Sequence, residues 1–161
     1  MPRAAGTKPR AVGQLKSIAM SGARATGRCL CGGVTYEVRG PLRDISVCHC
    51  VECRRWGGSA VAFSATKAED LAVAESEALC WIDSPESDRD ARRGFCSQCG
   101  SSLFWQAAGA ERIGIAAGTL DAPTGLRVIA HIYTHQASDF EVFDDGLPRD
   151  PERDAIEIRW S

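Results

Sequence analysis

The chain has 161 residues, enough for one domain with a tail, and its 44 % apolar content can supply a core. No apolar run approaches the roughly 20 residues that cross a bilayer, and the N-terminus lacks the continuous apolar stretch of a secretory signal. Formal net charge is -2, but residues 1–28 carry six basic side chains and no acid, which leaves -8 on the remainder and argues against nucleic acid as a partner.

Eight cysteines without a secretory signal point to a reducing, cytoplasmic setting in which thiols bind metal or react. Residues 1–24 are rich in Ala, Gly, Arg and Lys and hold no aromatic residue. They cannot bury enough surface to offset the entropy of ordering, so a basic, disordered extension is expected there. An Arg-rich, acid-poor targeting peptide and translation from Met20 are the two other readings of this stretch. Residues 25–161 are expected to form the folded domain.

The first strand is read over Cys29–Val38, with period-two alternation. Leu30, Val34, Tyr36 and Val38 share one face, and Cys29, Cys31, Thr35 and Glu37 share the other. Asp44 to Cys50 alternates again. Ile45, Val47 and His49 face one way, while Ser46, Cys48 and Cys50 face the other, so His49 is aimed away from its cysteine neighbours. Cys53 returns after a short turn. Arg54, Arg55 and Trp56 follow, read either as a solvated turn or as a cationic rim suited to a carboxylate.

Strands are further expected at Ala60–Thr66, Ala78–Ile82 and Ser102–Trp105, with a turn at Lys67–Leu71 and an exposed loop at Pro85–Asp90. Ile82 is assigned to the core. Phe95-Cys96-Ser97-Gln98-Cys99-Gly100 is a C-x-x-C-G knuckle on a hairpin, in which glycine permits the backbone to turn its N–H groups toward the sulfurs. Strands at Ile113–Ala117, Val128–Thr134, Phe140–Phe143 and Ile156–Trp160 complete a β-rich tail. His131 and His135 have a helical i, i+4 spacing, but their β-branched surroundings make them structural or surface residues.

Seven of the eight cysteines lie in three clusters. A structural zinc takes four protein ligands and a catalytic zinc three. Two pairs and a triplet divide accordingly: Cys29, Cys31, Cys96 and Cys99 close one site, and Cys48, Cys50 and Cys53 form an open one. An iron–sulfur cluster is the inorganic rival. Cys80, between Leu79 and Trp81, is read as a buried apolar residue rather than an eighth ligand.

Gly27-Arg28-Cys29-Leu30-Cys31-Gly32-Gly33-Val34, Cys48-His49-Cys50-x-x-Cys53, Phe95-Cys96-Ser97-Gln98-Cys99-Gly100 and Gly118-Thr119-Leu120-Asp121 occur in the order of a known family. Over residues 25–150 the chain resembles the short form of the glutathione-dependent formaldehyde-activating enzymes, a family that includes centromere protein V. Phe140 stands where a Trp is common in that family. The resemblance implies a mainly β, β-tent fold of packed antiparallel sheets and two zinc ions per chain, one structural and one catalytic, on the cysteines just named. It also implies a carbon–sulfur lyase that joins a small thiol such as glutathione to formaldehyde, with Cys48, Cys50 and Cys53 as catalytic residues. Arg54 or Arg55 would hold the carboxylate of the thiol. A non-catalytic, zinc-stabilised binding module is the alternative function.

Overall fold

The computed structural model describes residues 23–152 apart from Glu86 and Asp88. The expected N-terminal extension up to residue 22 and the strand at 156–160 lie outside the described residues. Among the described residues ten strands dominate, and no helix is long and apolar enough to cross a membrane.

Two short strands, β1 (Ala25–Arg28) and β2 (Thr35–Val38), pair antiparallel, and β5 (Leu71–Val73) adds to β2. The larger sheet contains β3 (Ile45–Cys48), β4 (Val61–Lys67), β6 (Leu79–Ser84), β7 (Ala91–Cys96), β8 (Ser102–Ala107), β9 (Arg112–Ala116) and β10 (Val128–Ile132). Its spatial order is β10-β3-β4-β9-β8-β7-β6. The mainly β fold of packed sheets is as expected from sequence. One pairing departs from the antiparallel rule: β10 runs parallel to β3.

The core lies between the sheets. Tyr36 and Val38 come from the small sheet, Val34 from the turn that leads into it, and Leu103, Phe104, Ile113 and Ile115 from the large sheet. The rings of Tyr36 and Phe104 meet edge to face at 5.2 Å. Each fully buried side chain of this size contributes about 1.5–3 kcal/mol through removal of its apolar surface from water.

Four local expectations are corrected. The stretch Cys29–Val38 is not one strand. Residues 29–34 form a turn in which Leu30 is 83 % exposed and Cys29 is buried, and alternation begins only with β2. The residues after Cys50 form a helix, α1 (Val51–Gly57), so Arg54, Arg55 and Trp56 belong to it and not to a surface turn. Phe140–Phe143 is irregular, with Phe140 exposed. Ile82 is 44 % exposed, because β6 is the edge strand and its outer face is not covered.

Candidate metal centres and the adjoining cavity

The turn between β1 and β2 and the hairpin between β7 and β8 bring four thiols together. The sulfurs of Cys29, Cys31, Cys96 and Cys99 all lie within 4.8 Å of one another. Cys29 to Cys31 is 3.5 Å and Cys31 to Cys96 is 3.7 Å. These are far longer than a disulfide bond and close to the edge of a zinc–sulfur tetrahedron, about 3.8 Å for bonds of about 2.3 Å. Hydrogen bonds support the site from both sides. The Val34 amide donates to Cys29 Sγ at 3.2 Å, and the Ser101 hydroxyl lies 3.3 Å from Cys99 Sγ. That hydroxyl is the main reason the Cys99 thiol is pulled down to about 5. Gly100, at φ +76°, allows the hairpin to turn back, and its amide donates to the Cys96 carbonyl at 2.8 Å.

The second group is local. Cys48 ends β3, Cys50 caps α1, and Cys53 lies in the first turn of α1 with its amide donating to Cys50 Sγ at 3.4 Å. The three sulfurs also lie within 4.8 Å of one another, and all three cysteines are buried or half-buried. Its thiol neighbours, Cys48 first, hold the Cys50 thiol well below the ordinary range, and Cys50 and Cys53 push Cys48 far up. Thiols so crowded share negative charge and offer one cation a set of soft donors, the chemistry that suits zinc. The four-thiol group fits a closed zinc site, and the three-thiol group fits a zinc with three protein ligands.

Arg93, from β7, faces this second group. Its side chain is 4 % exposed, and its two terminal nitrogens lie 3.9 and 3.8 Å from Cys53 Sγ. Ser84 accepts from its Nε at 2.9 Å, and Glu52 lies 3.5 Å from Nη2. A zinc ion on three thiolates would carry a net charge near -1, which this guanidinium would offset. Sequence reasoning missed Arg93, although the strand pleat held the signal: Arg93 shares parity with buried Ala91, while Arg92 is exposed.

Cys48, Cys50 and Cys53 line a cavity of about 570 Å³, together with Arg43, Arg89, Arg93 and Arg112 among others. Phe63, Trp105, Ile132 and Tyr133 form much of its apolar wall. The thiols of the four-cysteine group are not part of that wall. Neither are Arg54 and Arg55. Arg54 instead donates to the His49 carbonyl and to Ser138, and Arg55 is exposed. Cys80 belongs to neither thiol group.

His49 turns away from the thiols, as the alternation of its strand requires. It is 3 % exposed, its Nε2 lies 2.8 Å from His131 Nδ1, and its Nδ1 lies 3.1 Å from Glu141. His131 in turn meets Asp145 at 2.8 Å. This chain of partners ties residues 138–145 to the back of the strand that carries the second thiol group.

Comparison with known proteins agrees with this geometry. A Schizosaccharomyces pombe protein described as an uncharacterized lyase is 34 % identical over 80 residues, which are 49 % of this chain. The matched region spans only about half of that relative, 55 % of its length. A crystal structure of a Rhodobacter sphaeroides protein is 28 % identical, with a TM-score of 0.50, over 60 % of this chain and 88 % of that one. Residues 24–136, which contain both thiol groups and the strands that carry them, match the family described as glutathione-dependent formaldehyde-activating enzyme. With that match over most of its length, the chain belongs to the glutathione-dependent formaldehyde-activating enzyme family.

Proposed function

We propose that this chain is a zinc-dependent enzyme of the carbon–sulfur lyase type. It acts in the cytoplasm on the adduct of a small thiol and a small aldehyde, with glutathione and formaldehyde as the pair named in the family's description. The observation that carries the reading is the placement of Cys48, Cys50 and Cys53: three donors, on the wall of a cavity large enough for a small ligand. A non-catalytic zinc module has no need of such a cavity beside its second metal group.

A zinc ion held by the three sulfurs would stabilise an incoming thiol as its thiolate, the nucleophilic form, at neutral pH. The remaining tasks fall to the chain. Arg93 offsets the surplus negative charge from 3.8 Å and holds Cys53 in place. Phe63, Trp105 and Ile132 give the bound pair an apolar wall that limits water. Condensation joins the thiol sulfur to the aldehyde carbon and moves the thiol proton to the aldehyde oxygen; the reverse reaction breaks the same carbon–sulfur bond.

The test is the rate at which glutathione and formaldehyde equilibrate, followed by NMR. Zinc-loaded protein is expected to exceed the buffer rate, and Cys50→Ser to fall back to it while keeping the other zinc. A chain with two zinc ions that leaves the rate unchanged would reject the reading.

A further inference from the structure

Among the described residues, four arginines line the cavity against one carboxylate, Glu52, which faces Arg93. Arg43 has a different setting from Arg93. Among the described residues Arg43 makes no ion pair. Its Nη2 donates to the Phe63 carbonyl at 2.6 Å, while its buried Nε–H has no hydrogen-bond partner. After burial itself, the charge most strongly felt by Arg43 is the like charge of Arg112, and together they hold it below the ordinary arginine range. Two guanidiniums in one wall repel each other, and a buried donor left unmade is costly. An oxyanion relieves both conditions, because the planar fork of arginine matches it in two-point geometry.

The position is also apt. Phe63 pairs with Ser46 and Val61 pairs with Cys48. The carbonyl that anchors Arg43 is therefore two strand residues from Cys48, roughly 7 Å along the sheet. That separation suits a small molecule with a thiol at one end and an acid group at the other.

We propose that Arg43 and Arg112 form an oxyanion site in the cavity wall, which holds a carboxylate of the thiol whose sulfur docks on Cys48, Cys50 and Cys53. The proposal rests on the thiol-binding reading above and moves the carboxylate contact from Arg54 and Arg55 to these two arginines.

Calorimetric titration of the zinc-loaded chain with 3-mercaptopropionate and with its methyl ester tests it. The two probes share a thiol and differ in charge. The acid is expected to bind at least about tenfold more tightly, the scale of one charge-assisted hydrogen bond. Arg43→Met and Arg112→Gln are each expected to remove that preference while ester binding and zinc content stay unchanged. If Arg43→Met fails to fold, Arg112→Gln alone decides. Equal binding of acid and ester to the wild type, or a preference that survives Arg112→Gln, overturns the site. Glutarate, which has no thiol, separates the two readings. If neither thiol binds but glutarate binds the wild type and not the Arg112→Gln variant, the oxyanion site stands and the thiol chemistry falls.

Discussion

Arg93 carries a cation into a wall where only 4 % of its side chain meets water. Such a charge is tolerated only when paired and hydrogen-bonded, and here Cys53, Glu52 and Ser84 supply the partners. Its stacking position, 5.8 Å over the Trp56 ring, adds a further contact. Arg93→Met is expected to weaken zinc retention at the second thiol group by about 10–100-fold, as loss of an outer partner to a metal site does. Competition with a chromophoric chelator measures this, and the four-thiol group should keep its metal. Arg93→Lys is not expected to restore full affinity, since a point charge cannot reproduce the fork. The sequence made the arginines near Cys53 conspicuous because they are adjacent in the chain. Arg93 is 40 residues away from Cys53 and reaches it only through strand pairing.

At the scale of elements, two turns far apart in the chain bring four thiols together. Cys31 and Cys96 are 65 residues apart, so a metal between them closes a long loop and contributes folding free energy directly. Cys99→Ser is expected to give unfolded or insoluble protein, whereas Cys50→Ser, whose partners lie within six residues, should keep near-native circular dichroism. A Cys99→Ser chain with native thermal stability would remove the structural role. Gly27 in β1 tests how closely the small sheet packs. A methyl group there would fall inside contact distance of the Tyr36 ring and the Thr119 carbonyl. Gly27→Ala should therefore cost about 1–3 kcal/mol, read as a lower midpoint in urea. The thiol clusters and most strands were legible because spacing and alternation are local signals. The turn at 29–34 was not, since Val34, Tyr36 and Val38 continue an alternating pattern through residues that turn to bring Cys29 and Cys31 toward Cys96 and Cys99. Helix α1 was hidden for a similar reason. Its seven residues are too few to display a helical period, and its start is fixed by Cys50 as a cap.

The molecule as a whole places its two thiol groups in different environments. One joins the small sheet to the β7–β8 hairpin, and the other lies beside a cavity lined by four arginines. Graded chelation should therefore proceed in two steps: first loss of the local three-thiol metal with the fold retained, then loss of the four-thiol metal together with unfolding. The cavity itself was not legible in the sequence. Arg43, Arg112 and Trp105 share a cavity with the thiols only because β3, β4, β9 and β8 are neighbours in the sheet, an order that no local pattern encodes. The most direct test of the central claim is the absorption spectrum of the doubly cobalt-substituted protein during titration with a thiol. The account predicts that the bands of one cobalt site shift to saturation while those of the other do not, and that Cys50→Ser abolishes the shifting component alone. A spectrum in which neither site responds to thiol, or in which both respond together, would contradict it.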